Sequence, residues 1–266
     1  MRMADHRLTA VPLAVASGFT TDSGIPTRAS CSCSFCPLND GSLCAAATSA
    51  TGPCEASRGG VSSLKATEHT VPARRLVWHP KEWSEYVPVI TRGWAASSIT
   101  LASGGRQILS FLLPGDLVST ASLFGAVSGR SIEAITEVTF RKYRRDDISA
   151  LLRSDSDFFE RVSAACIHER VHADNLLVDL GRRMADARIG RLVLYLAEAL
   201  DKRDMVKFQT MPFPLRQRHI ADATGLTTNH VTKTLTQFHR LGLIEISNRS
   251  LTITNIAELR TIAAWR

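Results

Sequence analysis

The sequence predicts an α+β chain in three consecutive parts: a small antiparallel β structure, a long helical stretch, and a basic helix-turn-helix closed by a short hairpin. Three observations carry this. Short β-prone runs punctuated by Gly and Pro fill residues 61–147. Residues 155–200 contain no proline and are dominated by helix formers. Residues 181–266 hold 14 Lys+Arg against 7 Asp+Glu, which accounts for the whole net charge of +7.

Length and composition bound the rest. The 266 residues are 44% hydrophobic and 21% charged, the mix of a globular chain with room for two modest cores. No apolar run approaches the ~20 residues of a membrane span, so a cytoplasmic protein without a membrane partner is expected. Residues 8–16 are mildly apolar after a basic start, but Pro12 interrupts them and no Leu-rich core is present. They are not read as a secretory signal.

Residues 1–60 are rich in Ser, Thr, Ala, Gly and Pro and poor in large apolar side chains, so an irregular first segment is expected. It holds five of the six cysteines, Cys31, Cys33, Cys36, Cys44 and Cys54. Clustered cysteines on an otherwise Cys-poor chain point to metal or redox chemistry in a reducing compartment, not to a disulfide scaffold.

Residues 61–154 form the second part. The runs Val87-Pro-Val-Ile90, Ser98-Ile-Thr-Leu101, Gln107-Ile-Leu-Ser-Phe-Leu-Leu113 and Thr136-Glu-Val-Thr-Phe140 alternate with turn signals at Gly93, Gly104-Gly105, Pro114-Gly115-Asp116 and Ser128-Gly129. Many short strands at close spacing predict a small barrel, roll or sandwich. Trp78, Trp83 and Trp94 are read as its packing.

A helix is expected over 155–182, then a second from about Met184 to Leu200. Val162, Cys166, Ala173, Leu176 and Leu180 lie along one side of the first, with Glu169 between. That seam fits either packing on the β part or pairing with a second copy. Cys166 reads as a small buried apolar residue. His168 and His172 have metal-compatible i, i+4 spacing but no third partner in sequence, so a solvated face is expected.

Residues 183–266 are expected to form one compact unit. A helix should begin near Leu215, Gly225 should end it, and Thr227 should cap a second helix reaching about Leu241. Ile244-Glu-Ile246 and Leu251-Thr-Ile253 read as two strands around Ser247-Asn-Arg249. Ile220 and Ala221 face inward from the first helix, and Leu226, Val231 and Leu235 from the second. This leaves Thr228, Asn229, Thr232 and Lys233 outward near the second helix's start, where a major-groove helix reaches base edges. Asn pairs with adenine, Lys donates to guanine, and Thr touches a thymine methyl. Arg216, Arg218 and Arg240 are candidates for phosphate contacts, which set affinity and register. A double-stranded DNA partner is therefore expected. No phosphate-binding Gly loop, nucleophile elbow or metal-hydrolase motif is present, so an enzyme is not expected.

Gly225-Leu-Thr-Thr-Asn-His-Val-Thr-Lys-Thr-Leu235, followed by Arg240-Leu-Gly-Leu-Ile244 and the hairpin, resembles the winged helix of the CRP/FNR regulators. Gly105-Arg-Gln-Ile-Leu-Ser-Phe-Leu-Leu-Pro-Gly-Asp-Leu117 resembles that family's β-roll signature, and Ile132-Glu-Ala-Ile-Thr-Glu-Val138 a later strand. The resemblance covers about residues 65–255. It implies a cyclic-nucleotide-binding-like β-roll at 61–154, a dimerisation helix at 155–182 and a winged helix at 183–266. It also implies a homodimer on a two-fold operator that works with RNA polymerase. In the cyclic-AMP-binding branch a Gly-Glu pair holds the ribose and an Arg-Ser pair the phosphate. Here Ser119-Thr120 stands at the first place and Arg130-Ser131 at the second, which disfavours a cyclic nucleotide.

Cys33-x2-Cys36-x7-Cys44 resembles the oxygen-sensing FNR-like, FixK-related branch, which implies an iron–sulfur cluster and a redox input. That branch's fourth cysteine would fall near Arg141, where none stands, leaving Cys54 or Cys31 as substitutes. Zinc, or unligated thiols, remain alternatives, as does a regulator without a cofactor controlled by its abundance or by a redox-active thiol. Asn229 and Thr232-Lys233 stand where FNR proteins carry Glu and Ser-Arg, so the operator is not expected to be the familiar one.

Overall fold

A computed structural model describes residues 64–264, Glu82 excepted. The 1–60 segment with its five cysteines lies outside the described residues.

Seven strands come first: β1 (Ala66–Val71), β2 (Leu76–Trp78), β3 (Tyr86–Arg92), β4 (Ala95–Thr100), β5 (Arg106–Leu112), β6 (Ser131–Ala134) and β7 (Val138–Arg144). They form two antiparallel sheets, β1-β7-β3 and β2-β6-β4-β5. The run expected over 132–138 is broken, because the chain bends at 135–137 and passes from one sheet to the other.

The apolar run in β3 is continuous because both faces of the strand are covered. Val87 and Val89 pack with Ile148, Phe158 and Val162 of the following helices. Ile90 points the other way, among Trp78, Ile132 and Phe140. The β3–β4 turn requires glycine: Gly93 has φ +84°, and a Cβ there would lie 2.0 Å from the Glu137 carbonyl oxygen. The Pro114-Gly115-Asp116 turn is clamped from outside the roll. Asp116 Oδ2 accepts from the Leu113 amide at 2.8 Å. Arg203, itself buried, donates to the Pro114 carbonyl at 2.8 Å and to Asp116 Oδ1 at 2.5 Å.

Helices follow: α1 (Arg145–Ser154), α2 (Ser156–Arg182) and α3 (Ala185–Asp201). Sequence reasoning missed α1, which leaves β7 with no intervening turn. Asp155 caps α2, its side chain accepting from the Phe158 amide at 2.9 Å. The Val162-Cys166-Ala173-Leu176-Leu180 side turns toward its own chain: Val162 is buried and the other four are half-buried. A different stripe is exposed. Ile167, Val171 and Val178 share one face, with Leu177 beside it, at 64%, 51%, 48% and 69% exposure.

Two readings of side chains are corrected here. Trp83 does not pack in the roll; it is exposed, with the Arg145 guanidinium 5.0 Å from its ring centre. His172 is not on a solvated face. Its Nε2 lies 3.1 Å from the Leu109 carbonyl and its ring stacks on Tyr195 at 4.4 Å. Burial is the main cause that holds its pKa below the usual histidine range.

The last part contains β8 (Thr210–Pro212), α4 (Gln217–Thr224), α5 (Thr228–Arg240), β9 (Ile244–Ser247), β10 (Ser250–Ile253) and α6 (Ile256–Ile262). Its sheet has the order β8-β10-β9. Ile189, Val193, Leu196 and Leu200 recur along one face of α3 and are buried to 1% exposure or less. They join one continuous core with Trp94, Phe111 and Leu113 of the roll and Ile220, Phe238 and Leu259 of the last part. Gly190 allows close approach of α6, since a Cβ there would sit 3.2 Å from that of Ala263.

Candidate nucleic-acid interface

The α4–α5 pair is a helix-turn-helix built as its spacing predicts. Gly225 takes φ +66°, ψ +32°, and its amide bonds the Ala221 carbonyl, ending α4. Thr227 caps α5 by accepting from the His230 amide at 3.2 Å. Ile220, Ala221 and Val231 are buried, and Leu226 and Leu235 half-buried. Thr234 and Phe238, not picked out from sequence, complete the inner face at i+3 and i+7 from Val231 and are also buried.

Thr228, Asn229, Thr232 and Lys233 are all exposed on α5. The Thr232 hydroxyl donates back to the Thr228 carbonyl at 2.9 Å, so its proton is already used and its methyl is the more available contact. His230, Thr236 and Gln237 are exposed too and extend this surface beyond the residues expected. The helix offers its N-terminal amides and a single lysine, a favourable end for a phosphate-bearing partner.

The candidate phosphate contacts separate in space. Arg216 caps α4, Arg218 lies in its first turn, and Arg240 ends α5; all three are exposed. Arg218 lies 3.6 Å from Glu133 of β6. Arg216 and Arg218 border a cleft of about 550 Å³ together with Arg249 and Arg74. Sequence reasoning passed over Arg249. The available signal was a cation in the two-residue turn between β9 and β10, where Asn248 and Arg249 both take positive φ.

His219 sits behind these arginines. Its Nδ1 accepts from the Arg216 amide at 3.2 Å. Burial, then the charges of Arg218, Arg106 and Arg216, push its pKa down to about 4 against a smaller opposing effect of Glu133. The neutral ring is the form that satisfies an otherwise orphaned amide at the start of α4. Arg106 of β5 ties the roll to α4: it meets Glu133 at 2.5 Å and Asp222 at 2.6 Å, and its Nε reaches Asp222 at 2.7 Å. Gln107 adds a bond to the Ala223 carbonyl at 3.2 Å.

Of the cysteines, the candidate ligands Cys33, Cys36 and Cys44, with Cys54 and Cys31, lie outside the described residues. Cys166 is half-buried on α2, and burial pushes its thiol up, away from the thiolate a metal needs. Arg141, at the place of the branch's fourth cysteine, pairs with Glu68 at 3.3 Å across β1–β7. Among the described residues no group of three His, Cys, Asp or Glu is placed to hold a metal ion. No described helix is long and apolar enough to cross a membrane.

Comparison with known proteins bears on the whole arrangement. The cyclic nucleotide-binding domain family matches residues 68–155, and the Crp-like helix-turn-helix domain family matches residues 187–262. The nitrogen fixation regulation protein FixK of Bradyrhizobium diazoefficiens is 30% identical over 167 residues, covering 62% of this chain and 68% of that protein. The transcriptional activator protein FnrL of Cereibacter sphaeroides is 23% identical over 232 residues, covering 85% of this chain and 90% of that protein. The structure of FixK2 from Bradyrhizobium japonicum superimposes with a TM-score of 0.68 at 28% identity, covering 76% of this chain and all of that one. These relatives are transcription regulators, not enzymes. With a roll, a long helix and a winged helix in this order, the chain belongs to the CRP/FNR family of DNA-binding transcription regulators, on its FixK/FNR-like branch.

Proposed function

We propose that the protein regulates transcription as a homodimer on a two-fold DNA site. In this reading Thr228, Asn229, Thr232 and Lys233 face base edges, and Arg216, Arg218 and Arg240 hold phosphates. The observation that carries it is the outer face of α5, polar and exposed on a capped, well-packed helix. Dimer formation draws support from Ile167, Val171, Leu177 and Val178 on α2, which are exposed among the described residues, since four large apolar side chains on one helix favour pairing with a copy. The residue ranges 61–154, 155–182 and 183–266 then act as sensor, dimerisation helix and reading head. The bound dimer, in the cytoplasm, acts on RNA polymerase.

The input is assigned to the cysteine segment. Cys33, Cys36 and Cys44, with Cys54 or Cys31, supply soft thiolates suited to an iron–sulfur cluster, whose redox sensitivity would report oxygen. The 232 residues aligned with FnrL run into the segment before residue 64. One observation favours a second reading, a regulator without a cofactor that is controlled by a thiol or by abundance: Arg141, paired with Glu68, occupies the expected fourth position.

Selection of bound duplexes from a random pool tests the main reading. Enriched sites should be two-fold, with half-sites about 10–10.5 bp apart. Asymmetric or unenriched pools refute it. Anaerobic purification separates the two inputs: iron with sulfide, lost in Cys36→Ser together with the oxygen response, supports the cluster. Iron-free protein that still binds the selected site supports the second reading.

A further inference from the structure

Helix α2 is tied to the roll through a charged side chain that projects into a cavity. The cavity, about 720 Å³, lies between the roll and helices α2 and α3. Trp78, Phe111, Leu113, Val118 and Ile132 give it a largely apolar wall. Asp116 in that wall is already paired with Arg203. Arg130, just before β6, meets Glu169 from the middle of α2, Nη1 against Oε1. The other carboxylate oxygen of Glu169 accepts from the Thr120 hydroxyl at 2.6 Å. Both oxygens are thus held by the roll, by residues 10 positions apart in sequence but side by side in space.

A guanidinium and a hydroxyl converging beside an apolar cavity make an oxyanion receptor. Here the oxyanion is supplied by the chain itself. We propose that Glu169 is a tethered ligand: its carboxylate fills an anion-binding site of the roll formed by Arg130 and Thr120, and so fixes α2 without any small molecule. A tethered group faces its partner at an effective concentration in the millimolar range or above, so dilute free anions do not displace it. Solvent reaches the pair, at 39% and 32% side-chain exposure, so the receptor stays accessible once the carboxylate is removed. Glu169 is a positioning residue. It is two residues from both Ile167 and Val171 and so points to the opposite side of the helix, and by holding that side the clasp also fixes where the exposed stripe is presented; this last consequence rests on the dimer reading above.

The full chain tests the proposal with inorganic phosphate as probe, at constant ionic strength set with sodium chloride. Melting temperature is followed for wild type, Glu169→Ala, Glu169→Gln and Glu169→Ala/Arg130→Ala. Wild type should show no saturable response. Glu169→Ala should melt lower, then recover by about 2–4 °C at about five times the phosphate dissociation constant. Hydrogen exchange across residues 164–174 should rise in this variant and fall again with phosphate. Glu169→Gln keeps the side-chain shape and leaves a neutral, weaker-held group in the receptor, so it should respond in the same direction but less than Glu169→Ala, and it serves if the Ala variant folds poorly. The double variant should not respond. A phosphate response in Glu169→Ala no larger than in wild type or the double variant overturns the proposal and leaves only a solvent-exposed ion pair. No readout involves DNA, so loss of the operator reading would not produce this outcome, nor would this outcome affect that reading.

Discussion

Replacing Arg106 tests how the reading head is held. Arg106 links β5 to Glu133 on β6 and to Asp222 on α4, with three contacts of 2.5–2.7 Å. Its side chain is 19% exposed, and those of Glu133 and Asp222 are 22% and 27% exposed. The cost of breaking it therefore lies between the ~0.2–1 kcal/mol of an exposed pair and the ~3–5 kcal/mol of orphaning a buried charge. Among the described residues Arg106 is the cation that pairs with Asp222, whereas Glu133 retains Arg218 at 3.6 Å. Arg106→Ala should then cost about 2–3 kcal/mol. For a chain of this size that lowers the melting temperature by roughly 4–12 °C. Arg106→Lys keeps the charge but not the planar fork, and should lose less, about 1 kcal/mol. Urea titration and calorimetry of Arg106→Ala, Asp222→Ala and the double variant give the coupling, expected at about 1–2 kcal/mol. A loss under about 0.5 kcal/mol for Arg106→Ala, or strict additivity with Asp222→Ala, would refute the argument.

Four further outcomes are expected. Lys233→Ala should weaken binding to the selected site by about tenfold or more while nonspecific binding changes little; equal losses on all sequences would make Lys233 a phosphate contact. Ile167→Glu combined with Val171→Glu should shift the protein to monomer in sedimentation, and an unchanged dimer would place the interface elsewhere. Phe238→Ala, at a side chain 1% exposed, should cost about 3–5 kcal/mol in denaturant titrations, without touching the outer face of α5. Stability should decline as the solution is acidified. The folded pKa of His219 lies near 4, below the unfolded value of about 6.5, so the folded state binds fewer protons. Its contribution is complete above about pH 6.5 and is lost as pH falls toward 4. His168 and His172 are lowered as well, burial being the first cause in each. His219→Gln should flatten part of that decline, and an unaltered profile would remove His219 from the account.

The helix-turn-helix was legible in the sequence because its determinants are local. A glycine at positive φ, a threonine cap and apolar residues at helical spacing all fall within 25 positions. The Gly93 and Pro114-Gly115-Asp116 turns were legible for the same reason. The first strand was not, since five of the six residues of β1 are exposed and show no alternation. Helix α1 escaped because no turn separates it from β7. The two stripes of α2 show a different limit: periodicity marks apolar faces but does not say which one meets its own chain, and the inward stripe relies on the small residues Cys166 and Ala173. The contacts that assemble the site are longer in range still. Arg106 reaches Asp222 across 116 positions and Arg130 reaches Glu169 across 39; no spacing rule connects them.

The core that runs from Trp94 and Phe111 through Ile189 and Leu196 to Phe238 and Leu259 makes this chain a poor candidate for cut-and-paste engineering. A fragment severed at residue 183 would carry bare Leu and Ile side chains into water, and the roll left behind would expose Trp94, Ile108, Phe111 and Leu113. A chimera made by swapping the whole terminal unit would need both cut faces redesigned together. New operator preferences are better sought by exchanging the handful of solvent-side residues on α5, which leaves the shared interior untouched.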